Sequence, residues 1–308
     1  MSTLLEINGL YKHYGSTKAL INISLKIEHS AAIGLVGKNG AGKTTLLSIL
    51  SGALHPNAGT ISILGETPQT IATTGKLNIL PQDATFKKGI SVKKQLILFA
   101  RLQGMSRIEA ESSVDQLLAE LGDSSFVNKA PEHLSYGQRK RVGIVQAFLG
   151  KPQLVILDEP TAGLDPVVAN DVRQLIRKLS GESAFIISSH NLYEIEDICS
   201  SVIILDNGKL IANKSISEIA DKESSLSITL NRLPDENLIL ALEQIDEINT
   251  LIADKLSPEK LNVHLDSDNI DELQLKIQRI IMDQGYTITD FSRGKALIEG
   301  MMDLVDQD

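Results

Sequence analysis

Cysteine is all but missing from this chain of 308 residues, where Cys199 stands alone. An intramolecular disulfide is therefore excluded, as suits a reducing compartment. Long hydrophobic runs are missing too. No stretch approaches the ~20 apolar residues needed to span a bilayer, so any role at a membrane needs another chain to supply the membrane part. The first residues, Met1-Ser2-Thr3-Leu4-Leu5-Glu6, lack the basic and apolar blocks of a secretory signal. A cytoplasmic location is expected. Neither a low-complexity tract nor a short-period repeat is visible, and the length suits one large or two modest domains.

Positive charge is scarce in one part only. Residues 221–308 hold 19 Asp and Glu against 8 Lys and Arg, whereas residues 1–220 carry a net charge of +2. The acidic segment would repel phosphates, so no nucleic-acid partner is expected for it. A solvated surface that aids solubility is an equally good account of that charge.

What the chain does have, near its start, is Gly37-Lys38-Asn39-Gly40-Ala41-Gly42-Lys43-Thr44-Thr45. It follows the apolar run Ala31 to Val36 and precedes a helical pattern that begins at Leu46. The glycines let the backbone curl so that successive N–H groups point at phosphate oxygens, and the helix N-terminus adds its positive end. Lys43 is the point charge for the β and γ phosphates, and the Thr44 hydroxyl is a ligand for Mg²⁺. This spacing reads as a nucleoside triphosphate site.

Residues 4 to 10 and 20 to 28 read as strands of an antiparallel N-terminal sheet. The second alternates Ile21, Ile23, Leu25 and Ile27 with polar residues. Further strands are expected at Thr60 to Leu64, Leu77 to Leu80, Leu154 to Leu157, Ala184 to Ser188 and Val202 to Leu205. Apolar cores such as Val155-Ile156-Leu157 and Phe185-Ile186-Ile187 suit a parallel sheet covered on both faces. Asp206-Asn207-Gly208-Lys209 signals a two-residue hairpin before Leu210-Ile211-Ala212. Between about 91 and 150 the pattern turns helical, an insert within an α/β domain. After about 221 the order becomes strand (Ser225 to Leu230), helix (Asp235 to Ile245), a hairpin (Ile248 to Ile252, Leu261 to Leu265) across Asp254 to Lys260, helix (Ile270 to Gln284) and strand (Tyr286 to Asp290). That β-α-β-β-α-β order matches a ferredoxin-like split unit. The expected domains are thus 1–220 and 221–308.

Two further segments carry chemistry. Leu154 to Leu157 runs straight into Asp158-Glu159-Pro160, so Asp158 can serve Mg²⁺ while Glu159 faces the γ-phosphate and polarises the attacking water. Leu134-Ser135-Tyr136-Gly137-Gln138 opens a helix expected from about Arg139 to Leu149, which places the Ser135 hydroxyl and free N–H groups where an anion would bind. Arg139, Lys140 and Arg141 then fall in its first turn, against the helix dipole. Such a conflict is expected at a functional site; the alternative is that these side chains, Lys140 above all, lie outward and pair with carboxylates.

With these motifs in order, residues 1 to about 215 resemble the ATPase subunit of an ABC transporter, whose signature sequence is matched by Leu134 to Gln138. The implied fold is an α/β P-loop NTPase of the ABC type, with an N-terminal antiparallel β subdomain and a helical insert, followed by the small α+β domain. The resemblance implies roles for further residues. Tyr14, 23 positions before Gly37, is similar to the aromatic that stacks on adenine. Gln82 matches the glutamine that touches metal and water and links the site to the membrane partner. His190 matches the histidine that contacts the γ-phosphate, and Ala162-Gly163-Leu164-Asp165-Pro166 the loop where two subunits meet. Two such subunits pack head to tail, so Ser135, Gly137 and Gln138 of one would complete the ATP held by the other. The implied partners are a transmembrane permease and a second copy of the ATPase, with ATP and Mg²⁺ bound between them, at the inner face of the membrane.

Tyr136 stands where the commonest signature has a glycine, a variant that resembles the exporter branch handling drugs, ions, haem or polymers. Leu297 to Leu304 resembles the ending of drug-exporter ATPases. Two other readings compete. A soluble ABC-type ATPase acting on ribosomes or DNA would usually show two fused cassettes or long coiled-coil insertions, and neither is present. A regulatory module that binds ATP without turnover would have lost Glu159 or His190, and both are intact.

Overall fold

The computed structural model describes residues 3–28, 32–68, 70, 73–122, 125–181, 183–220, 225–253, 258–265 and 270–293. The chain divides into two compact units, Met1–Asn213 and Lys214–Asp308.

In the first unit, β1 (Leu5–Tyr14) and β2 (Thr17–Ile27) pair antiparallel. β1 is longer than its sequence suggests because it continues through an irregularity between Ile7 and Leu10, at positive-φ Gly9. β3 (Ala32–Val36) feeds the loop that opens α1 (Lys43–Leu50), and β4 (Ala58–Ile63) returns to the free edge of β1. Next come β5 (Leu77–Leu80), α2 (Val92–Leu102), α3 (Arg107–Ala119), a 3-10 turn at Pro131–His133 and α4 (Tyr136–Ala147). The unit closes with β6 (Leu154–Asp158), α5 (Pro166–Ser180), β7 (Ala184–Ser188), α6 (Leu192–Ile198), β8 (Ser201–Asp206) and β9 (Lys209–Ser215).

These strands form a three-stranded sheet in the order β2-β1-β4 and a six-stranded sheet in the order β5-β6-β7-β3-β8-β9. The pairs from β5 through β8 are parallel. Leu154 to Leu157 are fully buried, as a central strand covered on both faces requires. Leu46, Leu47, Ile49 and Leu50 of α1 share one core with Leu5, Ile7 and Ile23 of the small sheet and Leu35, Ile156 and Ile186 of the large one. Each such side chain contributes about 2 kcal/mol by leaving water, and together they fix the helix behind the phosphate loop.

Two expectations about α4 need correction. α4 begins at Tyr136 rather than Arg139, because Ser135 and Gln138 form a capping box: the Ser135 hydroxyl accepts from Gln138 N–H, and the Gln138 side chain accepts from Ser135 N–H. Lys140 and Arg141 therefore sit in the second turn, past the strongest part of the dipole. The side chains also divide. Arg141 does pair with a carboxylate, Asp171. Lys140 instead turns inward and is buried.

The second unit contains α7 (Ile216–Ala220), β10 (Ser225–Leu230), α8 (Glu236–Glu243), β11 (Ile248–Ala253), β12 (Lys260–Leu265), α9 (Ile270–Asp283) and β13 (Ile288–Arg293). Its sheet runs β11-β12-β10-β13, antiparallel at every pairing. Leu226, Ile228, Leu261 and Val263 pack against Leu238 and Leu242 of α8 and Leu273, Ile277 and Ile281 of α9. The last strand begins later than expected. Tyr286 is instead a core residue whose hydroxyl accepts from Asp235 N–H. Leu297 to Leu304 and the tip of the β11–β12 hairpin, residues 254–257, lie outside the described residues.

Candidate active site

The parallel order gives the site its layout. Gln82 follows β5, Asp158 ends β6 with Glu159 after it, His190 follows β7, and the phosphate loop follows β3. Four adjacent strands deliver these groups to one edge of the sheet, outside the carboxyl ends, where ligands of open α/β sheets bind.

A cavity of about 510 Å³ is lined there by Asn39, Gly40, Gly42, Lys43, Thr44, Thr45, Gln82, Glu159, Ala162 and His190, with Thr17 to Ala19 on one side. Gly42 caps α1 at φ +105°, and a Cβ on it would lie 2.6 Å from the Ala19 carbonyl oxygen. Only glycine fits. At Gly37 a Cβ would meet the Leu205 carbonyl oxygen at 2.3 Å, so this residue holds the loop against β8 from below. Ala41 is buried and its carbonyl accepts from Gly208 N–H. Lys43 is also buried, with Nζ donating to the carbonyl oxygens of Gly37 (2.6 Å) and Lys38 (3.3 Å).

The acidic side is held from underneath. Asp158 is 8% exposed, and its Oδ1 accepts from the Ser188 hydroxyl at 2.6 Å. Glu159 N–H donates to Ser188 Oγ at 2.9 Å. Its backbone has φ +47°, left-handed for a non-glycine residue, which costs of order 1–2 kcal/mol and is characteristic of a constrained functional position. Glu159 Oε2 lies 2.8 Å from His190 Nδ1.

The oxygen donors of Thr44, Gln82 and Asp158 suit a hard cation such as Mg²⁺, which takes one or two carboxylates together with substrate phosphates.

Ser135, Gly137 and Gln138 do not line this cavity. They sit at the start of α4, where Ser135 is exposed and Gly137 and Gln138 are half-buried. Tyr14 is about half exposed, has the Lys12 ammonium 5.4 Å from its ring centre, and pairs across the hairpin with cavity-lining Thr17.

Three supporting residues escaped the sequence. Ser188 is known only from its bonds to Asp158 and Glu159. Glu194 is 2% exposed and accepts from the hydroxyls of Thr161 (2.7 and 2.8 Å) and Ser189 (2.6 Å), while Ser189 Oγ accepts from Asn191 N–H. This buried carboxylate ties the segment after Glu159 to the turn that carries His190. Lys140 is the third. Ser188 and Ser189 directly precede His190, and a hydroxyl pair beside a candidate catalytic residue is the one signal that pointed their way.

Residues 20–162 match the family model described as ABC transporter. The ABC transporter ATP-binding protein YxlF of Bacillus subtilis is 32% identical over 228 residues, covering 74% of this chain and 76% of that protein. The chain belongs to the ABC transporter ATP-binding family. The bacitracin transport ATP-binding protein BcrA of Bacillus licheniformis is 34% identical, over 68% of this chain and 69% of its own. Among solved structures, cbiO1 from Clostridium perfringens, part of the ABC transporter complex cbiONQ, superposes with a TM-score of 0.64 at 25% identity, covering 80% of this chain and 96% of that one. As an ABC ATPase, the chain binds and hydrolyses ATP to power a transporter. No helix among the described residues is long and apolar enough to cross a membrane.

Proposed function

We propose that this ABC ATPase drives export through a separate membrane permease, as two copies packed head to tail at the cytoplasmic face. The place of cbiO1 in the ABC transporter complex cbiONQ and the likeness to the bacitracin transport ATP-binding protein BcrA support a transport partner and a drug-like cargo. The Tyr136 variant of the signature is the sequence feature behind the exporter branch.

In this reading Lys43 leaves its loop carbonyls to hold the β and γ phosphates, and loop N–H groups bind the remaining oxygens. Tyr14 stacks on the base. Thr44, Asp158 and Gln82 would hold Mg²⁺, which would supply positive charge to offset the negative charge on the phosphate oxygens. Glu159 accepts a hydrogen bond from the attacking water and aims it at the γ-phosphorus, while His190 contacts the γ-phosphate and holds the Glu159 carboxylate in place. Ser135, Gly137 and Gln138 of the partner subunit close the site; their position outside this chain's own cavity supports that sharing. Residues 1–220 would carry this chemistry. Residues 221–308 would form a ferredoxin-like accessory domain; the sheet order β11-β12-β10-β13 and the division into two units support that assignment.

The observation that carries the catalytic assignment is the 2.8 Å contact between Glu159 and His190 at the mouth of the phosphate-loop cavity. Glu159→Gln tests it. ATP affinity should stay near wild type while steady-state hydrolysis falls by about 10²-fold or more. Turnover close to wild type would remove Glu159 from this role.

A further inference from the structure

Lys140 and Lys43 are the two buried lysines among the described residues of the first unit, and Lys140 lies outside the phosphate loop. It lies in the second turn of α4, five positions after Ser135, and only 8% of its surface is exposed. A buried ammonium is costly unless its donors are used. It forms no ion pair among the described residues. Its Nζ donates instead to two backbone carbonyls, Gln82 O at 3.0 Å and Glu159 O at 3.4 Å. The Tyr136 ring lies over it, centroid 5.6 Å away, and the Tyr136 hydroxyl donates to Ala162 O at 3.1 Å. The residue that departs from the commonest signature thus covers the lysine and reaches the segment just beyond Glu159.

The two carbonyls belong to the two residues with proposed roles at metal and water. Glu159 is in a left-handed conformation that needs support on both sides. Its N–H is bound by Ser188 of β7; its C=O accepts from Ala162 N–H at 3.2 Å and from Lys140 of α4 at 3.4 Å. The Gln82 main chain is tied to the same ammonium. One charged group on the signature helix therefore fixes the backbone of both residues at once.

We propose that Lys140 is a positioning residue for ATP hydrolysis, linking the signature helix to the backbone of Gln82 and Glu159 within the same chain. This rests on the roles proposed above for those two residues. Because Lys140 does not line the nucleotide cavity, its loss should disturb the alignment of the water-orienting groups and leave nucleotide contacts intact. A misplacement of about 1 Å in such groups costs about 10²-fold in rate.

The test compares Lys140→Met, Lys140→Arg, Lys140→Gln and Glu159→Gln in the full-length chain with MgATP, measuring kcat, KM and nucleotide affinity. Lys140→Met removes the donors and keeps the stem. It should lower kcat about ten- to a hundredfold with KM and ATP affinity within about twofold of wild type. Lys140→Arg should recover most of the rate, since a guanidinium can still donate to both carbonyls. An unchanged kcat in Lys140→Met, a loss confined to KM, or an arginine variant as slow as the methionine variant would each overturn the proposal. Should Lys140→Met fail to fold, Lys140→Gln keeps a polar side chain that is uncharged and one bond too short to reach both carbonyls, and wild-type kcat there overturns it too. Glu159→Gln separates the two ideas. If it stays active, the assignment of Glu159 is wrong; if it is inactive while Lys140→Met is unaffected, only the role of Lys140 falls.

Discussion

His190 Nδ1 and Glu159 Oε2 lie 2.8 Å apart although 31 residues separate them in sequence. The contact exists because β6 and β7 are neighbours in the parallel sheet, with Asp158 level with Ser188, so the residues just past each strand emerge side by side. His190 is two-thirds exposed while Glu159 is mostly covered, so the imidazole reaches in from the solvent side to hold the carboxylate.

Replacing His190 by alanine should therefore lower turnover by about 10²-fold or more and leave ATP binding nearly intact. Equilibrium binding and steady-state hydrolysis on the same preparation check this. Wild-type turnover would mean that the pair is structural.

The location of Ser135 outside this chain's own cavity sets up a complementation experiment. Lys43→Ala should weaken nucleotide binding, and Ser135→Ala should slow hydrolysis. Mixing the two variants should restore part of the activity, because a mixed dimer keeps one site with Lys43 and the partner subunit's Ser135 both intact. Failure to recover at any ratio, with dimers demonstrated by ultracentrifugation, would count against sharing.

Tyr14 is about half exposed, pairs with the cavity-lining Thr17 and has the Lys12 ammonium over its ring. Stacking on a base is worth roughly 1 to 3 kcal/mol and tolerates any base. Tyr14→Ala should weaken ATP and GTP to the same degree, and Tyr14→Trp should be mild. A variant that loses ATP and keeps GTP, measured by titration with each nucleotide, would point to recognition of the base edge instead.

Burial pushes the Cys199 thiol up, with the nearby Glu194 carboxylate adding to the effect. A raised folded-state value means less thiolate at a given pH, and thiolate is the reactive form. Alkylation by iodoacetamide at about pH 8.5, where an unfolded cysteine is half ionised, should be slow in the native chain and fast in denaturant. The linked stability is fully present below the unfolded value and is lost as pH rises past it. Equal rates in the two states would show that the thiol is open.

The strands Leu77–Leu80 and Ala184–Ser188 were legible to the residue, because short apolar runs bounded by polar residues leave a buried strand little freedom in register. The phosphate loop was legible because its glycines answer a local backbone demand. α4 starts three residues before the basic run, because Ser135 and Gln138 stand at capping-box spacing and the box outweighs the charges that follow. Lys140 could not be placed from sequence at all. Its partners are carbonyls 58 and 19 positions away, and backbone oxygens leave no trace in residue identity. Glu194 is similar: a carboxylate satisfied by two hydroxyls looks, in sequence, like any surface acid.

The strand order β5-β6-β7-β3 also sets a length scale. Neighbouring strands are about 4.8 Å apart, so the strand ahead of Gln82 and the strand ahead of Lys43 are separated by roughly 14 Å, with the strands that lead to Asp158 and His190 between them. A push delivered at the Gln82 end has only three hydrogen-bonded rungs to cross before it reaches the phosphate loop. The sheet can act there as a short, stiff lever, with no need for a long relay through loosely packed side chains.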